Sequence, residues 1–252
     1  MKTSQIDWFK ERWNHYFPAA EPPIVFFYAN DPDDAEKVAA PEGHRCLMHD
    51  LIRVRRGEAL AFDKESVGCE GGKRYTGFTS ELRPDFDYFL SCGIPGEVEG
   101  ERYKKTPALV EKIMTHAAPF RAPAKYIVFK RWDRLSERDQ PEAVVFFGRG
   151  DILSGLFTLA NFDEVDLNAV IAPFCAGCAS IVYHPCLQGQ SETPKAVLGM
   201  FDVSARPYVP ADTLSFSIPW AKFECMMENM DESFLITKSW KKVQARLRSD
   251  QS

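Results

Sequence analysis

The chain has 252 residues, 45% of them hydrophobic and 13% aromatic, with 15 glycines and 17 prolines, so it can bury a sizeable core and is not a disordered segment. Its formal net charge of −5 lacks the basic excess that phosphate-backbone binding requires, which argues against nucleic acid as a main partner. The N-terminus MKTSQIDWFKERW carries charges throughout, and the longest mostly apolar run, 169–182, is broken by Pro173 and Gly177, so no secretory signal and no membrane partner are expected and the chain is placed in the cytoplasm.

In chain order, Thr3 to Phe17 reads as a helix, with Ile6, Phe9, Trp13 and Phe17 on one face and Pro18, Pro22 and Pro23 ending it. Ile24 to Tyr28 is a continuous apolar run of β-formers, hence a buried strand. A brief helix is expected over 35–39, a helix or strand over 46–52, and a strand over 58–63 after the Arg56-Gly57 turn. Gly68 to Phe78 is the most glycine-dense segment and reads as a loop, with a strand at 88–91 after it. Thr106 to His116 is a helix with Pro107 in its first turn. Strands at 124–132 and 143–147 precede a helix at 151–160, and 166–171 is a short helix or strand. Strands at 196–201 and 214–218, helices at 220–229 and 237–247, and a solvated tail over 248–252 complete the chain.

Three of the seven cysteines, Cys175, Cys178 and Cys186, fall in a C-x2-C-x7-C pattern inside an apolar stretch. A reducing compartment keeps such thiols free, so they are not read as a disulfide framework. Thiolates are soft ligands that suit zinc, copper(I) or iron–sulfur clusters, and Cys69 would complete a set of four. Buried packing thiols and a redox or nucleophilic thiol stand beside that reading. Cys92 and Cys225 are assigned to packing. His184, between Cys178 and Cys186, is either structural or an additional ligand.

The order of short motifs repeats. Pro23-Ile24-Val25-Phe26-Phe27 overlays Glu142 to Phe147, Arg83-Pro84 overlays Arg206-Pro207, and Gly93-Ile94-Pro95 overlays Ser217-Ile218-Pro219, at nearly constant offset. Thr106 then overlays Thr237, and Cys46 falls opposite the Cys175/Cys178 pair. The expected fold is therefore α+β, with two related mixed α/β halves, 1–118 and 119–252, packed as one compact unit around a site between them.

The succession VGCEGGKRYTGF (67–78), VVFFGRGDILSGLFTLANFD (144–163), FCAGCASIV (174–182) and VLGMFDVSARP (197–207) resembles the uncharacterised family called "domain of unknown function 169", over about residues 24–243. The resemblance implies a soluble bacterial or archaeal protein, often from an anaerobe, and no established activity. By similarity, Cys46, Cys69, Gly71, Gly72, Gly77, Cys178, Ser204 and Arg206 match the family pattern. Cys175 and Cys186 depart from it, which shifts weight to Cys69 with Cys178.

Two further readings attach to these residues. Gly71 and Gly72, with Lys73 and Arg74, offer backbone N–H groups and cations of the kind that cradle a phosphate or carboxylate; a tight turn would look the same. The two cations, if close, would also favour the Cys69 thiolate. Asp202, Ser204 and Arg206 alternate as on a strand face, where Arg206 could grip an anion in bidentate fashion or pair with Asp202. The leading expectation is thus a cytoplasmic protein binding a metal, an iron–sulfur cluster or a related cofactor through Cys69, Cys178, Cys175 and Cys186. A binding module for a small anionic metabolite and a thiol enzyme with Cys69 as nucleophile are the alternatives. Whether the protein is an enzyme at all is left open.

Overall fold

A computed structural model describes residues 2–249. The last residues of the expected solvated tail, 250–252, lie outside the described residues. The fold is mixed α/β, built on one eight-stranded mixed sheet. Its strands are β1 (Ile24–Ala29), β2 (Glu36–Lys37), β3 (Leu60–Phe62), β4 (Tyr126–Arg131), β5 (Ala143–Gly148), β6 (Val170–Ile171), β7 (Ala196–Gly199) and β8 (Leu214–Pro219). Their spatial order is β2-β3-β4-β1-β5-β8-β7-β6. That order reads the same from either edge once β1 to β4 are exchanged for β5 to β8. The directions obey the same exchange: β2/β3 and β6/β7 are parallel and the other neighbours are antiparallel. The seam is the β1/β5 pair, with Ile24 opposite Val145 and Phe26 opposite Ala143.

The central strands are apolar at nearly every position because both faces of the sheet are covered. On one face lie α1 (Thr3–Tyr16), α6 (Gly150–Ala160), α8 (Trp220–Glu228) and α9 (Lys238–Ser249). Phe9, Trp13, Phe17, Phe146, Phe223 and Trp240 interlock there. The buried indoles satisfy their N–H groups on main-chain carbonyls: Trp132 Nε1 donates to Ile6 O at 3.0 Å and Trp240 Nε1 to Tyr16 O at 2.9 Å. Gly155 of α6 admits this packing, since a Cβ there would lie 2.5 Å from Trp240 and 2.6 Å from Phe17.

The other face carries α2 (Leu47–Arg55), whose Leu47, Met48, Leu51 and Val54 are buried, together with a π-helical turn, Ala179–Tyr183, that runs into α7 (His184–Gly189). The turn sits low on the sheet because β7 ends in Gly199; a Cβ there would come within 2.2 Å of Ser180. Fully buried Ser215 and Ser217 alternate on β8 with the bulky Phe216 and Ile218 of the opposite core.

Four local expectations are corrected. Residues 36–37 form an edge strand rather than a helix, because they pair with β3. Residues 88–91 fall in and just after a short helix, α4 (Phe86–Leu90). The glycine-rich segment is helical over α3 (Glu70–Tyr75) rather than an open loop. Asp202 to Arg206 is a turn entering a 3-10 helix, not a strand, so its alternation marks no common face. The helix expected at 106–116 is α5 (Pro107–Thr115).

Candidate active site around Cys69

The Cys69 thiol caps α3 as a serine or aspartate would, its Sγ accepting the Gly72 N–H at 3.2 Å. Cys46 caps α2 in the same way by position, with extended backbone just before the first helical residue. The segments before the two caps are tied together, Arg45 N–H donating to Gly68 O at 2.9 Å. Gly68 allows that approach: a Cβ on it would lie 2.8 Å from Arg45 O and 2.7 Å from Pro41. The two caps are therefore brought side by side, and both cysteines are half-buried.

Their protons are shared unequally. The Cys46 thiol donates to the Cys69 sulfur, and this, with the Leu47 and Gly72 N–H groups and the nearby His44, pulls the Cys69 pKa down to about 6 against the opposing effect of burial. The same hydrogen bond, reinforced by burial, pushes the Cys46 thiol well up. The pair is thus a thiolate at Cys69 held by a neutral thiol at Cys46. Lys73 and Arg74, expected to activate Cys69, are engaged elsewhere: Lys73 Nζ meets Glu70 at 3.2 Å and Arg74 donates to Ser80 O at 2.6 Å.

Behind Cys69 lies the second group of thiols. Cys178 begins the π-helical turn and is buried; burial raises its pKa first of all, and Cys69, Asp202 and Cys175 add to the effect. Cys175, half-buried, is pushed up to about 12 by burial and by Asp202. Asp202 organises this side. Its Oδ2 accepts the Gly177 N–H at 3.1 Å, and its Oδ1 accepts from Ser204 N at 3.0 Å, Ser204 Oγ at 2.8 Å and Tyr103 OH at 3.2 Å. Gly177 is pinched here, a Cβ on it falling 2.8 Å from Ala205 and 3.1 Å from Met200 Sδ. An aromatic wall closes one flank, with the Tyr75 and Tyr183 rings 5.8 Å apart and Phe120 6.0 Å from Tyr183. Gly77, at φ +82°, lets the end of α3 dock on that wall's backbone, accepting the Ala122 N–H at 2.9 Å.

The expected residues thus come together only in part. Cys178 lies near enough to Cys69 for the Cys69 charge to raise its pKa, and Cys175 adjoins Cys178. Cys186 does not join them: it is buried near Tyr28 and Glu142. Among the described residues no three His, Cys, Asp or Glu side chains are grouped so as to hold a metal ion, so the four-thiolate set of Cys69, Cys175, Cys178 and Cys186 is not assembled. His184 is half-buried, and burial lowers its pKa.

The anion cradle does not form either. Gly71 and Gly72 are helical. Arg206 spends its guanidinium on main-chain carbonyls, those of Thr213 at 2.5 Å, Ala211 at 2.6 Å, Pro210 at 3.1 Å and Met200 at 3.4 Å, and so holds its own loop. Ser204 is exposed and bound to Asp202. Cys92 and Cys225, assigned to packing, are exposed. Sequence reasoning missed Cys46 as the partner of Cys69. The signal was there, a cysteine set just ahead of an amphipathic run of Leu47, Met48, Leu51 and Val54, where a helix cap belongs.

No curated protein and no solved structure matches the chain. No helix among the described residues is long and apolar enough to cross a membrane. Residues 17–229, most of the length, match the family described as DUF169, an uncharacterised ArCR, as the glycine-rich, FCAGC and FDVSARP segments around Cys69, Cys178 and Arg206 imply; the chain belongs to that family.

Proposed function

We propose that the protein acts through a nucleophilic thiolate at Cys69, directed at a small-molecule electrophile that enters between α3, the start of α2 and the π-helical turn. One observation carries this reading: the half-buried Cys69 sulfur caps α3 by accepting the Gly72 N–H at 3.2 Å, beside the Cys46 that stands at the cap of α2. A main-chain N–H donor on the sulfur and the neighbouring Cys46 thiol favour its ionised form, and the thiolate is the reactive form of cysteine. The anion-binding alternative loses its donors, since Lys73, Arg74 and Arg206 are all engaged within the chain. Such a nucleophile would be kept reduced in a cytoplasmic setting.

The reading includes an internal duplication, in which the palindromic strand order reflects two related units joined between β4 and β5, later than the 118/119 division expected from the sequence. Two pairs of residues support it. Cys46 and Cys178 each begin the helix that lies on the shared face. Cys69 and Asp202 each follow an inner strand and accept a backbone N–H from the start of that helix, Leu47 in one half and Gly177 in the other. Where one half sets a thiol, the other sets a carboxylate, so the slot suits an anion in both.

Alkylation by iodoacetamide, mapped by peptide mass spectrometry, tests the reading. The exposed Cys92 and Cys225 serve as references. At pH 7 Cys69 gains thiolate fraction but loses intrinsic nucleophilicity as its pKa falls, and the two effects leave it about two- to six-fold faster than an ordinary exposed thiol. Labelling of Cys69 no faster than Cys92 and Cys225 would refute the assignment.

A further inference from the structure

The arrangement of Cys46 beside Cys69 says which electrophile the site takes. Resting on the assignment of Cys69 as nucleophile, the geometry points to a dithiol that reduces a low-molecular-weight disulfide, Cys69 attacking it and Cys46 resolving the product by closing a Cys46–Cys69 bond.

Three features support a resolving role for Cys46. The residues before the two cysteines are joined by the Arg45 N–H to Gly68 O bond, and Gly68 permits the close approach, so the main chains run adjacent where a disulfide would have to close. Cys46 and Cys69 hold the cap positions of α2 and α3, each with extended backbone just before its helix, so the two thiols start from the same edge of the tied segments. Both cysteines are half-buried, whereas Cys178 is only 8% exposed, so an incoming disulfide meets Cys69 and Cys46 before Cys178. A nucleophile for acyl or alkyl transfer needs no second thiol; one that reduces a disulfide to two thiols within its own chain does.

The steps balance as follows. The Cys69 thiolate attacks one sulfur of R–S–S–R; the S–S bond breaks, a mixed disulfide forms on Cys69, and R–S⁻ leaves with the bonding electron pair. The Cys69 sulfur is then neutral and no longer accepts the Cys46 proton, so Cys46 can release that proton to the departing thiolate. The Cys46 sulfur attacks Cys69 Sγ, the mixed S–S bond breaks, and the second R–S⁻ leaves. One thiol and one thiolate of the protein are oxidised to a disulfide, and R–S–S–R is reduced to R–SH and R–S⁻.

The test uses the full chain and oxidised glutathione, with intact-mass and peptide readouts. In the wild type the expected product is a loss of two hydrogens, with the Cys46 and Cys69 peptides cross-linked and dithiothreitol restoring both thiols. In Cys46→Ser, and in Cys46→Ala should the serine variant fold poorly, the reaction should stop with glutathione retained on Cys69. Retention of glutathione on Cys69 in the wild type would overturn the inference while leaving Cys69 a nucleophile. So would a Cys69–Cys178 cross-link, which would make Cys178 the resolver. No reaction at Cys69 with glutathione or with iodoacetamide would instead remove the reading beneath it.

Discussion

Gly72 donates its N–H to Cys69 Sγ at 3.2 Å, and a Cβ on Gly72 would stand 2.8 Å from that same sulfur. The glycine therefore both supplies a hydrogen bond and leaves room for the sulfur that accepts it. Gly72→Ala is expected to push Cys69 off its donors and to press on Val67, also 2.8 Å from the missing Cβ. Overpacking of this kind costs about 1–3 kcal/mol. Thermal melting should fall accordingly, and Cys69 alkylation at pH 7 should slow towards the rate of Cys92. Gly71→Ala is the control, because a Cβ there meets nothing within 4 Å.

The rate of Cys69 alkylation should titrate with a midpoint near pH 6, the value to which its donors bring it. Cys46 is the largest of those donors, so Cys46→Ala should move the midpoint upward by about one unit or more. An unchanged midpoint would show that the backbone N–H groups alone hold the thiolate.

Stability should follow the same pair. Cys69 has a depressed pKa in the fold, so its contribution is absent below about 6, grows as pH rises, and is complete above about 9, where the unfolded thiol ionises too. Cys46 is raised in the fold, so it counts in favour of folding up to the ordinary thiol value and against it beyond. The wild type minus Cys46→Ser/Cys69→Ser difference in melting temperature should therefore rise between pH 6 and 9 and decline above. A flat difference would contradict the thiolate assignment.

Arg206→Ala should act on folding and not on ligand binding. It frees four carbonyls between Met200 and Thr213, and loss of bonds to a charged donor costs about 2 kcal/mol. The melting temperature should drop, and phosphate added to the wild type should not raise it. Phosphate stabilisation lost with Arg206 would restore the anion site that the geometry argues against.

Lys130 offers a test away from the cysteines. It is 1% exposed near the end of β4 and binds Asp34 at 2.7 Å and the buried Asp139 at 3.0 Å. Lys130→Met strands Asp139, and breaking a buried pair from one side costs about 3–5 kcal/mol. Lys130→Met with Asp139→Asn should recover part of that loss, measured by denaturant unfolding.

Much of this architecture was legible in the sequence because it rests on local periodicity. The runs Ile24 to Tyr28 and Ala143 to Phe147 could only be buried strands, and Ile6, Phe9 and Trp13 could only be one face of a helix. What periodicity could not reach was pairing. Glu36 and Lys37 are exposed and polar, and only their partner β3 makes them a strand. Gly71 and Gly72 are poor helix formers, and what makes their segment helical is the cap that Cys69 supplies. The pairing of Cys69 with Cys46 was not anticipated, because the Arg45–Gly68 contact joins segments that the overlay of motifs never set side by side.

The placement of β1 at the seam has a consequence for how the molecule is made. The strand Ile24 to Ala29 leaves the ribosome early, yet its partners β4 and β5 begin only at Tyr126 and Ala143. The indole of Trp240 that covers the end of α1 comes later still. An apolar, β-prone hexamer thus waits unpaired while the chain grows from Ala29 to Tyr126, the condition under which nascent chains aggregate. Fragments ending before β5 should accumulate as inclusion bodies, and yield of the intact protein should respond to chaperone supply more than to any residue of the thiol site.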